Sequence, residues 1–286
     1  MQSEGCTSFD KVLHARLRYP MIRTGTFFAS GVAMKTGWAW TAVAVFMVWT
    51  GTAEADVIRV RADDWCPYNC SEQKKGYGIE VAEEVFAAAG HRVQYQLAPW
   101  SRSLEDCLRG EIDAVIGAAP VDSPDLVFGA EPIGQWDSTF VIRKGQSWRY
   151  DGVASLERIK LAAIIGYIYM EPVGGYIEAN KKNRARVDPV GGTQPLEQSL
   201  KMVAAGRIDA AVESRAVLEY KLRQMGLTGK LDYAGATQSG PIYIAFSPKH
   251  PKAREYADLL DQGVARLRAS GRLRQILDRY GVRDWK

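Results

Sequence analysis

Leu108-Arg109-Gly110-Glu111-Ile112-Asp113-Ala114-Val115 and Ala204-Ala205-Gly206-Arg207-Ile208-Asp209-Ala210-Ala211-Val212 carry the same three events in the same order: a helix end, a glycine stop and an Ile-Asp-Ala strand. Two copies of one junction in one chain point to two similar α/β units. Coincidence between two common helix-glycine-strand junctions is the plainer alternative, so the flanks have to decide.

The flanks repeat the plan. Before the first junction, Val57 to Ala62 reads as a strand that ends in a polar-aromatic loop, Asp63 to Ser71. Gly76 and Gly78 open a helix in which Ile79, Ala82, Phe86 and Ala89 share a face, and Gly90 closes it. Arg92 to Leu97 alternates like a strand, and Pro99-Trp100 leads into a helix with Leu104, Cys107 and Leu108 on one side. Asp113 to Gly117 and Ser138 to Ile142 are further strands. Before the second junction come an apolar strand, Lys160 to Ile165, a helix around Tyr176 to Asn180, and a strand, Arg186 to Val190. A helix capped by Gly192-Thr193 then runs to Ala205. After the second junction a helix continues through Leu222, Ile242 to Ser247 is a strand, and Pro251 opens a long helical stretch followed by a shorter helix with Leu273, Ile276 and Leu277. Strands alternating with helices predict mixed, mostly parallel sheets flanked by helices.

The chain has 286 residues and a net charge of +4, but residues 56–286 hold 32 Lys/Arg against 30 Asp/Glu, scattered along the sequence. That balance argues against nucleic acid as a partner. Upstream, Lys35, the apolar run Trp38 to Trp49 and Ala53-Glu54-Ala55 have the order of a secretory signal peptide. The run is well short of the roughly 20 residues of a membrane span. Residues 1–55 are therefore expected to be removed, with Met34 as an alternative start, and the remainder to be periplasmic. A membrane anchor or a buried helix is the competing reading of this run.

Cys66, Cys70 and Cys107 remain. Cys66-Pro67-Tyr68-Asn69-Cys70 suits a small disulfide loop in an oxidising compartment, with Cys107 free; two free thiols are the alternative. His91 and His250 lie apart from the cysteines, so no metal and no cofactor is expected.

These pieces resemble the family 3 extracellular solute-binding proteins over nearly all of residues 56–286. The resemblance rests on Asp64-Trp65-Cys66-Pro67-Tyr68-Asn69, Gly76-Tyr77-Gly78-Ile79-Glu80, Pro99-Trp100-Ser101-Arg102-Ser103-Leu104, the two Ile-Asp-Ala junctions, and the C-terminal run Ser270 to Gly281. It implies a two-lobed periplasmic binding protein fold of type II, with lobe one at 56–143 plus 235–286 and lobe two at 144–234. It also implies hinge closure on a small-molecule ligand, a monomer, and delivery to the membrane permease of an ABC importer. A sensory or partner-presenting role, or a cyclohexadienyl-dehydratase-like enzyme on the same fold, are the alternatives; no catalytic set is evident.

Two departures bear on the ligand. The family's amino-acid receptors carry an Arg in the loop after the first Ile-Asp-Ala strand, where this chain has Ala118-Ala119-Pro120-Val121-Asp122-Ser123-Pro124-Asp125. They carry an Asp after the second, where this chain has Val212-Glu213-Ser214. Both halves of a zwitterion clamp are altered. Trp65, Tyr68, Trp100, Trp136, Tyr167 and Tyr169 fall in loops at strand ends and suit sugar faces, aromatic acids or quaternary amines, packing in the core or hinge being the alternative for each. Arg102 is the candidate anion contact, Asp64 and Glu213 the candidate cation contacts, and Thr193 a donor or a plain helix cap; Ser214 stands where the Asp is expected.

Overall fold

The computed structural model describes residues 55–71 and 73–286, and the expected signal peptide lies outside this range. In chain order the first half runs β1 (Val57–Ala62), α1 (Tyr77–Ala88), β2 (Arg92–Leu97), α2 (Trp100–Arg109), β3 (Ala114–Ala118), β4 (Val127–Phe128) and β5 (Gly134–Trp136). The chain continues with β6 (Thr139–Arg143), a 3-10 turn (Val153–Arg158), β7 (Leu161–Ile164), α3 (Val173–Asn180), β8 (Val187–Val190), α4 (Pro195–Ala204), β9 (Ala210–Glu213), α5 (Arg215–Gln224) and β10 (Leu231–Ala236). It closes with β11 (Gly240–Phe246), α6 (Ala253–Ala269) and α7 (Arg272–Asp278). None of these helices is long and apolar enough to cross a membrane.

The strands form two mixed sheets, ordered β2-β1-β3-β11-β4 with β5 also on β11, and β10-β6-β9-β7-β8. Each contains three parallel strands, β2-β1-β3 and β8-β7-β9, extended by antiparallel partners. The sequence echo has a structural cause. Asp113 Oδ2 accepts the backbone N–H of Arg59 in β1 at 2.7 Å, and Asp209 Oδ2 accepts that of Lys160, just before β7, at 2.8 Å. Each Asp thus pins its own strand to the middle strand of its parallel trio, β1 or β7; these two residues stitch the fold and line neither recess.

Burial follows the pattern of the sequence. Ile58, Val60 and Ala62 alternate inward along β1, and Ile79, Ala82, Val85 and Phe86 turn one face of α1 onto the sheet and α6. α6 answers with Tyr256, Ala257, Leu260 and Val264 at helical spacing. Each fully buried aliphatic side chain of this kind contributes about 1.5–3 kcal/mol.

Strand pairing divides the chain slightly differently from the expected lobes. β6 pairs with β9 and β10, so Thr139–Arg143 belongs to the second sheet and not to the first lobe, and Gly235 and Ala236 belong with it at the end of β10. The crossings fall at 137–138 and 237–239. There Ser138 N–H donates to Thr237 Oγ1 at 2.9 Å and Thr237 N–H donates to the Ser138 carbonyl at 3.1 Å. An apolar strand such as β6 fits either sheet by pattern; long-range pairing with β9 selects one.

Candidate functional site

The loop after β1 is the wall from which the site is built. Cys66 and Cys70 are joined by a disulfide, and Trp65 N–H donates to the Asn69 carbonyl at 2.8 Å, so residues 65–70 form a tight closed turn. Trp65 stacks on Tyr68 with ring centroids 4.5 Å apart, and Asn69 Nδ2 donates to the Asp63 carbonyl at 2.8 Å. Behind this wall, β3 bulges at Gly117: Tyr243 pairs with Ala118 and Ile244 with Ile116, leaving Gly117 as the extra residue at φ +87°. A Cβ there would stand 3.2 Å from the Trp65 ring.

Four contacts join this wall to the second sheet. Trp65 Nε1 donates to Glu213 Oε1 at 2.9 Å; Tyr167 O–H donates to Asp63 Oδ2; Tyr68 O–H lies 3.4 Å from Ser214 Oγ; and Lys221 Nζ lies 3.9 Å from Asp64. Between the sheets are two adjoining recesses, sharing Asp63, Trp65, Trp100 and Tyr167. The first, about 400 Å³ including its mouth, adds Ile116, Gly117, Asp122, Trp136 and Ile168. The second, about 1480 Å³ on the same basis, adds Asp64, Thr193 and the start of α4, with Glu213 and Lys221.

The electrostatics are one-sided. Glu213 is 4% exposed, and its Oε1 accepts both from Trp65 and from the Ser214 N–H at 2.7 Å, while Oε2 is buried with no hydrogen-bond partner. Burial pushes its carboxyl up to about 7 against the pull of those donors, and Asp63 and Asp137 push it the same way. Burial likewise raises Asp63 to about 6, and Asp122, which accepts the Ala119 N–H at 2.6 Å, to about 6. Lys221 sits 3.4 Å from Glu197 as well as near Asp64, so its ammonium is already shared between two carboxylates.

Of the residues expected from sequence, Asp64, Trp65, Trp100, Trp136, Tyr167, Thr193 and Glu213 line the recesses. Tyr68 and Ser214 lie behind the wall, at 1% and 2% exposure; Tyr68 O–H donates to the Gln135 carbonyl at 2.5 Å. Arg102 is turned away: its Nε donates to Asp106 Oδ1 at 2.9 Å, one helical turn on, and it is absent from both linings. Asp106 also holds Arg61 and Arg109, which fixes that cluster on α2. Sequence reasoning missed Asp63, Asp122 and Lys221. Asp63 adjoins the chosen Asp64-Trp65 pair, and Asp122 stands in the loop already read for its missing Arg; Lys221 gives only helical spacing.

The model of the bacterial extracellular solute-binding proteins, family 3, matches residues 58–283. The chain is similar to the probable amino-acid-binding protein YxeM of Bacillus subtilis (strain 168), 24% identical over 224 residues, 76% of this chain and 81% of that protein. Among solved structures, an ancestral arginine-binding protein bound to arginine superposes with a TM-score of 0.63 at 18% identity, over 79% of this chain and 98% of that one. A histidine kinase sensor domain with similarity to periplasmic binding proteins superposes with a TM-score of 0.64 at 20% identity, over 79% and 96%.

Proposed function

The chain belongs to the bacterial extracellular solute-binding proteins of family 3, and on that premise we propose that it is a periplasmic receptor that captures a small solute between its two sheets by hinge closure and hands it to the membrane permease of an ABC importer. It works as a monomer, because each half of the site is supplied by one chain. The observation that carries the reading is the convergence of Trp65, Asp63, Glu213 and Tyr167 across the crevice, where side chains of both sheets meet each other around a recess. Residues drawn from two bodies that share a hinge form a complete site when the bodies approach, and that makes ligand binding and closure one event. Asp64, Trp100, Trp136 and Thr193 are assigned to ligand contact, Tyr68 and Ser214 to support of the wall. The similarity to an amino-acid-binding relative favours a solute with an amine.

The purified protein is to be screened by thermal shift against amino acids, polyamines, sugars, organic acids and aromatic compounds. Stabilisation by one class, with a smaller radius of gyration in X-ray scattering, is the expected result. No stabilisation by any class in a well-folded sample removes small-molecule capture. Loss of uptake of the bound solute on deletion of the gene tests delivery. Glu213, a buried carboxyl near neutral pH with a free oxygen, supports a second reading as a general acid or base. Recovery of the bound compound unchanged after incubation decides for capture.

A further inference from the structure

Five carboxylates line the two recesses, those of Asp63, Asp64, Asp122, Glu197 and Glu213, and Lys221 is the one basic side chain among the described lining residues. The ammonium of Lys221 is occupied by Glu197 and Asp64. The guanidinium of Arg102 is on Asp106 and faces away. The loop Ala118–Asp125 offers a carboxylate, Asp122, and no cation. A carboxylate-bearing solute entering this space meets like charge on several sides and no unengaged basic partner.

A cation meets the opposite. The first recess presents Asp63 and Asp122 beside Trp65, Trp100, Trp136 and Tyr167. Aromatic faces attract organic cations through their quadrupoles, most strongly where water is excluded. The buried, unpartnered Oε2 of Glu213 is an acceptor awaiting a donor.

From the charge and the aromatic walls we infer that the solute is an organic cation without a carboxylate of its own: an amine or quaternary ammonium on a flat or bulky apolar body. Its positive centre lies at Asp63, the carboxylate that both recesses share, between Asp122 of the first recess and Glu213 of the second, and its body lies against the indole rings. The inference rests on the receptor reading above. The buried carboxylates support it, because their charge is stabilised when a cation supplies what burial has removed.

The test is calorimetric titration of the purified protein at pH 8 with two matched series. 2-Phenylethylamine, phenylalanine and 3-phenylpropionate share one skeleton and differ in charge; choline and glycine betaine share a trimethylammonium head and differ by a carboxylate. The expected result is that 2-phenylethylamine or choline binds at least tenfold more tightly than its carboxylate-bearing counterparts. Glu213→Gln and Asp122→Asn, each shown by circular dichroism to be folded, should each weaken that binding at least tenfold. Equal or tighter binding of phenylalanine, 3-phenylpropionate or betaine overturns the inference. So does silence from all five compounds in a protein stabilised by another class in the receptor screen, which leaves the receptor reading standing. Silence from the five and from the whole screen overturns the receptor reading itself.

Discussion

Replacing Gly117 by Ala tests how the cleft wall is held, and Gly90→Ala supplies the control. Both glycines have left-handed backbones, at φ +87° and +84°. A side chain in that region costs about 1–2 kcal/mol, partly offset by about 0.4–1 kcal/mol from the stiffer unfolded chain. Gly90 has nothing within 4 Å of the new methyl group, so Gly90→Ala should lose only the remainder, about 0.5–1 kcal/mol. At Gly117 the methyl meets the Trp65 ring at 3.2 and 3.3 Å. Trp65 cannot retreat freely, because it is stacked on Tyr68 and its N–H is bound to Glu213. Overpacking of this kind adds about 1–3 kcal/mol. Gly117→Ala should therefore lose about 2–4 kcal/mol, at about 2–4 °C of melting temperature per kcal/mol for a chain of this size. Urea unfolding followed by circular dichroism gives both values. A Gly117→Ala midpoint no lower than that of Gly90→Ala would show that Trp65 does not press on the bulge, and the account of the wall would fail.

Two further predictions concern the same wall. The folded-state values of Asp63 and Asp122 at about 6 and Glu213 at about 7 lie above the ordinary carboxylate range, so these three groups hold more protons in the folded protein than in the unfolded chain between about pH 4 and 7. Stability from these groups therefore falls as pH rises through that window; of the charged groups around Glu213, Asp63 and Asp137 oppose its ionisation, the Ser214 N–H and the Trp65 indole favour it, and Lys221 lies across the second recess. Unfolding free energies at pH 5 and 7.5 should differ in favour of pH 5, with a smaller difference in Glu213→Gln; an unchanged difference in that variant contradicts the assignment. Replacing Cys66 and Cys70 together by Ala opens a five-residue loop and should lower stability by about 2 kcal/mol through unfolded-chain entropy; an unaltered urea midpoint would show that the turn is held by its hydrogen bonds alone.

How far the sequence carries depends on the range of the interactions involved. The Ile-Asp-Ala junctions were legible because each is local: a helix end, a turn and a strand within ten residues, with Asp113 and Asp209 bonding to strands of fixed rank. The ends of β2 match the alternation of Arg92 to Leu97, while α3 begins three residues before the expected Tyr176. β4 and β5 have two and three residues and no periodicity to read. β10, Leu231–Ala236, escaped notice because Gly235 and the polar Asp232 break its pattern. In the site, the strand-end aromatics Trp65, Trp100, Trp136 and Tyr167 line the recesses, while Tyr68 and Tyr169 turn into the core, a choice that local sequence does not make. Charge was harder to read. Arg102 could be placed on α2 by sequence, but its direction is set by Asp106, four residues on, which the three surrounding guanidinium groups hold in place. Asp63 and Asp122 gain their meaning from desolvation, which for Asp63 includes Tyr167 from the other half of the chain and so is not legible locally.

The crossing at 137–138 and 237–239 links two antiparallel pairs: β5 with β11 on one side, through Gly240 and Trp136, and β6 with β10 on the other, through Ala236 and Thr139. Between them Ser138 and Thr237 exchange two hydrogen bonds, one to the Thr237 side chain and one backbone to backbone, so the two passages are tied to each other where they cross from sheet to sheet. Two passages so joined can flex and twist, but they cannot slide past each other without breaking those bonds. In the closure proposed above, a crossing tied in this way should hold the distance between the two sheets while their angle changes, so that the mouth would open like a pair of tongs, most at the rim and least beside the crossing. Trp136, which ends β5 one residue before the crossing, should then move little against the first sheet, so that a change in its surroundings would report the ligand more than the motion.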